Sequence, residues 1–373
     1  MSDRKLVIIS SEPVGWPESP MYGLFQRIQS NILADNGYKI ILISPQGRSL
    51  KFGLNLSHNK ENHNNSFTLL KNSLPNIFRI NRNLESLAFA ISGLIIFFRN
   101  RKLLERTEIY HFHNIYNAGI LFKFLSYLGF TKNAKSFLTE HTSYVHSGRA
   151  PKFLTRYILR STDLHISAVS LSLKTVLEQY TSKVYLLHNP VEEIFEKPLK
   201  IKDRLAQICI VGALEPIKNH SLLFESLELI DFPLKVAIVG DGSLRKKLKA
   251  LFSKLPLNIE VTFFGYQNPE NVKTIMKNSM ALISVSLSET FGVVLIESLS
   301  QGTPVISTLN GGCLDIVTDE VGILCNFERH EIANAISKVV MEKKFDNKKI
   351  REYFNKKFST KAYLENLEKF YEL

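Results

Sequence analysis

Cysteine is scarce: Cys209, Cys313 and Cys325 are the only three in 373 residues. They are too few and too scattered for a disulfide framework or a zinc site, which fits a reducing, cytoplasmic setting. Long hydrophobic runs are also missing. The longest, Leu87 to Phe98, is interrupted by Ser92 and Gly93 and falls well short of the roughly 20 residues a spanning helix needs, so a core helix is expected there. Met1 to Lys5 is polar and Leu6 to Ile9 is only a strand-length run, so no secretory signal is expected. Gly-x-Gly-x-x-Gly fails too, since Arg245 stands where Gly240-Asp241-Gly242 would need a third glycine. A dinucleotide fingerprint is thereby excluded.

What is present is a globular composition, 45% hydrophobic and 22% charged, long enough for two separately cored domains. The net charge of +12 is unevenly placed. Residues 1–200 hold 25 Lys/Arg against 14 Asp/Glu, whereas residues 201–373 hold 22 against 21. The first half is therefore expected to meet something anionic: nucleic acid, an anionic membrane face or a diphosphate-bearing lipid. No nucleic-acid-binding motif accompanies the charge.

Strand and helix patterns alternate along the chain. Lys5–Ser10 reads as a first strand, followed by a long Pro- and Gly-rich loop containing Gly23, a helix over 25–35 and a strand over Tyr38–Ile43. Residues 46–73 read as polar loop with short strands, and 83–104 as one helix. Strands are expected at Ile109–His113, Ser136–Glu140, Asp163–Val169 and Lys183–Leu187, with a charged linker from Glu192 to Arg204. The second half repeats the alternation from Gln207–Val211 onward and ends in a helix over 358–373. Two doubly wound domains, 1–193 and 194–357, are expected.

The most informative stretch is Ser284 to Gly312, read as strand, loop, helix over 291–300, turn, strand and loop. Glu289 and Glu297 bracket the helix. Eight helical residues rise about 12 Å, so both carboxylates would face one side, with the amides of Phe291, Gly292 and Val293 opening an anion-favouring helix N-terminus between them. Each glutamate alone reads more simply as an ordinary solvated side chain; the joint pattern is what is uncommon.

Glu289-Thr290-Phe291-Gly292, Glu297, Gly302-Thr303-Pro304-Val305 and Gly311-Gly312 together resemble the donor-site signature of retaining glycosyltransferases of family 4 (group 1). The resemblance implies a GT-B fold, two Rossmann-like domains facing across a cleft, with the final helix returning to the first domain. It implies that Glu289 orients the donor sugar and Glu297 holds the ribose. Gly212 and Lys218 would grip the diphosphate, beside Ala213 where relatives often carry arginine. Tyr266 lies where relatives hold the base, and Gly23 in the loop that approaches the donor phosphates. Thr139-Glu140-His141 is similar to the family's sugar-contacting segment, which implies a role for His141; unaided, that histidine reads as structural. Asp-x-Asp is absent from the chain, which argues against a metal-dependent transferase, so no metal and no cofactor beyond a UDP- or GDP-type nucleotide sugar is expected. The implied acceptor is a glycan or polyprenyl-linked glycan of polysaccharide or lipopolysaccharide assembly, with peripheral contact at the inner membrane face. A nucleotide-sugar 2-epimerase of the same fold and a basic nucleic-acid-binding protein remain as alternatives.

Overall fold

The structure, a computed structural model, describes residues 4–11, 23–48, 57–63, 67–75, 82–142, 152–191, 207–342 and 345–372. The loop 12–22, Ser143, Arg149 and the linker expected at 192–204 lie outside them. The chain divides into two compact units, residues 1–190 with 363–373, and residues 191–362.

Unit 1 is built on β1 (Lys5–Ile9), β2 (Lys39–Arg48), β3 (Ser57–His63), β4 (Phe67–Pro75), β5 (Ile109–His113), β6 (Lys135–Glu140), β7 (Leu164–Ala168) and β8 (Val184–Leu186), in the order β3-β4-β2-β1-β5-β6-β7-β8. Each pair is parallel except the antiparallel pair β3 and β4. Leu6-Val7-Ile8-Ile9 and Ile40-Ile41-Leu42-Ile43 are buried throughout, as continuous apolar strands must be when helices cover both sheet faces. On one face Leu6, Ile8, Leu42, Leu69 and Phe137 pack with Ile28, Ile32 and Leu33 of the helix Leu24–Asp35. The C-terminal helix Thr360–Glu372 completes that core with Tyr363, Leu367, Phe370 and Tyr371. The other face carries the helices Arg82–Arg99, Ile120–Tyr127 and Lys152–Leu159. There Phe97 meets Tyr110 at 5.8 Å and Phe122 meets Phe112 at 5.4 Å between ring centroids.

The short strands expected within residues 46–73 are the pair β3 and β4: Phe67 to Leu70 supplies an apolar strand to the sheet, and β3, polar in sequence, borders it as an edge. Polar edges of this kind discourage strand addition. The single helix expected over 83–104 is broken at Asn100, whose φ of −110° and ψ of 21° leave the helical region.

Unit 2 holds β9 (Gln207–Val211), β10 (Leu234–Val239), β11 (Ile259–Gly265), β12 (Ala281–Ser284), β13 (Val305–Thr308) and β14 (Gly322–Cys325). All pairs are parallel, in the order β11-β10-β9-β12-β13-β14. The winding reverses between β9 and β12, and ligands of such sheets bind beyond the carboxyl ends of the strands at that reversal.

Candidate active site

In unit 2 the loops after β9 and β10 lie backbone against backbone. Gly212 N donates to Val239 O at 3.0 Å and Leu214 N to Asp241 O at 2.9 Å. A Cβ on Gly240 would sit 1.9 Å from Gly212 O, so any side chain there would part the two loops. Glu215 clamps the arrangement, accepting from Ser243 N at 2.8 Å and from Ser243 Oγ at 2.7 Å. The short 3-10 turn Pro216–Lys218 follows and presents Lys218 beside Gly212, ending at Asn219 in the left-handed region.

Lys218 Nζ donates to Glu289 Oε1, and both side chains are largely covered. The structure thus brings together two residues 71 positions apart, each at the carboxyl edge of a strand flanking the reversal. Leu287 N to Ile217 O, 2.9 Å, ties the same two loops through their backbones. Glu289 is held from the other side by the loop after β13: its amide donates to Asn310 O at 3.0 Å and it bridges to Gly311. Gly312 lets that loop close, since a Cβ there would meet the Phe291 backbone at 2.7 Å.

The helix opens later than expected. Gly292 takes a φ of 90°, and Val293 is the first residue of the helix Val293–Ser300. Phe291 and Gly292 therefore precede it, with Phe291 buried in the core. The helical spacing argued for Glu289 and Glu297 does not apply, because residues 289–292 run as loop. Glu297 stands half-buried within the helix. Tyr266 is exposed just past β11, beside Gly265 with its φ of 69°. Ala213 is exposed as well.

In unit 1 the winding reverses between β1 and β5. Asn114, with a φ of 71°, follows β5, donates to Ser11 Oγ and accepts from His141 N at 3.1 Å. His141 Nδ1 lies 2.8 Å from Asn189 Oδ1, and His141 Nε2 lies 2.8 Å from His113 Nδ1. With the Asn189 oxygen as acceptor, His141 carries its proton on Nδ1, so His113 must donate from its own Nδ1. His113 Nε2 is then a bare acceptor, buried and without a partner among the described residues. Burial holds the His141 ring neutral, lowering it to about 4, and pushes His113 well below the ordinary histidine range. Both nitrogens of His141 are thus engaged within the unit, and a ligand would have to displace one of them.

Glu140 underlies this corner. Its buried carboxylate accepts from Ile115 N and Thr142 N, each at 2.7 Å, and from His141 N at 3.1 Å. Burial raises its pKa against those bonds. Gly23, at a φ of 64°, precedes the helix Leu24–Asp35, its carbonyl accepting from Arg27 N at 3.0 Å. His113, Asn189 and Glu140 were expected to have no individual role, although His111-x-His113, His188-Asn189-Pro190-Val191 and Thr139-Glu140-His141 each resemble segments of the family. The alternation in Ile109–His113 does place His111 and His113 on one strand face, and their rings stack at 4.4 Å.

Two doubly wound parallel units in one chain are the GT-B fold. Sucrose-phosphate synthase from Thermosynechococcus elongatus shares it, with a TM-score of 0.75 and 17% identity over 99% of this chain and 98% of that one. Residues 191–357, nearly all of unit 2, match the family of glycosyl transferases group 1. The chain is 28% identical, over 57% of its length and 58% of the relative's, to the N-acetylgalactosamine-N,N'-diacetylbacillosaminyl-diphospho-undecaprenol 4-alpha-N-acetylgalactosaminyltransferase of Campylobacter jejuni. It is 25% identical, over 96% of its length and 74% of the relative's, to the phosphatidylinositol N-acetylglucosaminyltransferase gpi3 subunit of Schizosaccharomyces pombe. Two other curated relatives are matched over less, the chain spanning 33% and 46% of their lengths. These matches support a group 1 glycosyltransferase.

Proposed function

We propose that the protein transfers a hexose-type sugar from a nucleotide diphosphate donor of UDP or GDP type to a glycan or lipid-linked glycan, with the anomeric configuration retained. The observation that carries this reading is the Lys218–Glu289 pair at the carboxyl edge of β9 and β12. One cation for a diphosphate and one carboxylate for a sugar meet where a sheet of this winding binds ligands. Glu297, on the helix that follows, is the candidate for the ribose hydroxyls. The names of the Campylobacter and Schizosaccharomyces relatives both contain a lipid acceptor, which supports a lipid-linked acceptor; its place at the inner membrane face is part of the proposal.

In the transfer the bond from the anomeric carbon to the leaving phosphate oxygen breaks as the bond to the acceptor oxygen forms. The leaving phosphate oxygen takes the acceptor's proton, so no protein base is required. Glu289 stabilises the positive charge that develops on the sugar, and Lys218 the negative charge on the phosphate. No divalent ion is invoked, and transfer is expected to persist in a chelator.

Thermal denaturation against a panel of nucleotide sugars tests the reading, since a bound donor raises Tm by mass action. Stabilisation by one nucleotide class, followed by transfer to a polyprenyl-linked glycan, is expected. Absence of stabilisation by any nucleotide diphosphate would reject the donor site. A changed sugar formed from donor alone, with no acceptor, would favour the epimerase.

A further inference from the structure

Three histidine rings of unit 1 are layered across the ends of β5 and β6. His111 and His113 stack at 4.4 Å, and His113 and His141 at 5.1 Å, between ring centroids. Phe25 lies 6.0 Å from His141 and within 5° of parallel to it. The inner ring is held at both edges. Gln29 Nε2 donates to His111 Nδ1 at 2.8 Å, so His111 carries its proton on Nε2 and gives it to Thr139 Oγ1 at 2.7 Å. Thr139 Oγ1 in turn lies 2.7 Å from Ser167 Oγ. Phe25 and Gln29 stand four residues apart on the helix Leu24–Asp35, hence on one face of it, and they meet the two ends of the ring stack.

Only one proton arrangement suits the outer pair. If His141 donated from Nε2, its Nδ1 lone pair would face Asn189 Oδ1 at 2.8 Å, two acceptors in contact. Turning the Asn189 amide over would relieve that clash but not its counterpart at His113. That ring would then carry its proton on Nε2, where no acceptor lies among the described residues, and a buried N–H without an acceptor is a rarer orphan than a bare acceptor. With the proton of His141 on Nδ1, both 2.8 Å contacts are hydrogen bonds and the unmet atom is a lone pair. His141 is thus a donor toward Asn189 and an acceptor toward His113.

Each of these two bonds sets a donor beside an acceptor. A ligand group that enters either one has to accept one hydrogen bond and donate another, or it leaves a largely buried polar atom unmet. A sugar hydroxyl does both. An ionised phosphate oxygen only accepts, so it would satisfy the N–H and face a lone pair. Burial also holds the His141 ring down at about 4, so it is not a cation that would draw a phosphate.

We infer that His113 and Asn189 are positioning residues that hold His141 in its Nδ1–H form and make this corner a reader of a sugar hydroxyl, not of a phosphate oxygen. The inference rests on the proposed function for the ligand's being a sugar, and goes beyond it in naming the group that His141 meets and the two residues that impose the choice.

The first measurement needs no ligand: nitrogen-15 NMR of the full chain labelled at histidine, which tells Nδ1–H from Nε2–H by the ring shifts. The His141 signals are identified by their loss in His141→Gln. His141 is expected as Nδ1–H in the wild type and in Asn189→Asp, which keeps an acceptor, and as a mixture of tautomers in Asn189→Leu. An Nε2–H form in the wild type would overturn the proposal. The second measurement is calorimetry with UDP, GDP, UDP-glucose and GDP-mannose, joined by the KM for a polyprenyl-diphosphate glycan. Asn189→Leu and His113→Leu should leave the affinity for UDP and GDP unchanged. A loss of about threefold to tenfold, one neutral hydrogen bond, is expected in nucleotide-sugar affinity, which assigns the hydroxyl to the donor, or in acceptor KM, which assigns it to the acceptor. His113→Asn, which keeps an N–H near the Nδ1 position, should recover part of that loss. An equal loss for UDP and GDP, or no loss in either place, would overturn the proposal. A wild type that binds none of the four nucleotides counts against the donor site, while the tautomer of His141 still decides whether His113 and Asn189 hold it as inferred.

Discussion

Lys218 reaches the strand edge on a three-residue turn, and among the described contacts its charge is met by Glu289. A donor diphosphate would compete for that ammonium. Lys218→Ala should therefore weaken nucleotide diphosphate binding by about 10- to 100-fold, the worth of a charged hydrogen bond, as read by calorimetry. Ala213 is exposed beside Gly212, so Ala213→Arg should recover part of the loss. Affinity indifferent to Lys218→Ala would mean that the phosphates are held elsewhere. Glu297→Ala should raise the Kd for nucleotide with little change in turnover at saturating donor, and Glu289→Gln should do the opposite. The chemistry of these residues was legible in the sequence because their types and local order carry it. Their geometry was not. Glu289 is placed by a bridge to Gly311, a contact between the loops after β12 and β13 that no helical period contains, and the His113–His141–Asn189 chain joins the end of β5 to two separate loops.

The C-terminal helix is the element whose role depends most on tertiary context. Its apolar residues announce a helix, but only the fold shows Phe370 stacked on Tyr185 at 5.2 Å and set edge-on to Phe137 at 4.9 Å. Phe370→Ala should cost unit 1 about 3–5 kcal/mol, as for other buried aromatics. Tyr371 lies 2.8 Å from His111 Nδ1, and Gln29 Nε2 donates to its hydroxyl at 3.0 Å. Because Gln29 also reaches His111 at 2.8 Å, Tyr371→Phe should cost only about 1 kcal/mol. Urea denaturation separates the two, and equal costs would show that the hydroxyl, not the packing, anchors this helix. Short strands within residues 46–73 were legible, but not which of them pair, because pairing is fixed by register across the sheet and not by a local pattern.

Taken as a whole, the molecule stores acid sensitivity in buried neutral histidines. Burial lowers His111 to about 3 and His141 and His220 each to about 4, with His113 shifted the same way. Their unfolded counterparts take up protons near pH 6.5. The unfolded chain therefore binds more protons below that pH, and stability rises with pH through this window. It is complete above about pH 6.5 and falls toward pH 4 by up to about 1.4 kcal/mol per pH unit for each histidine. Tm should drop between pH 7 and pH 5, and a flat profile would mean that these rings are solvated. The division of the chain carries a different consequence. Unit 2 is one continuous segment, 191–362, whereas unit 1 needs residues 363–373 to close its core. During synthesis the ribosome must therefore make all of unit 2 before the first domain can finish folding. The half that begins first is completed last, and until then the sheet face that awaits Phe370 and Tyr371 is open to chaperones.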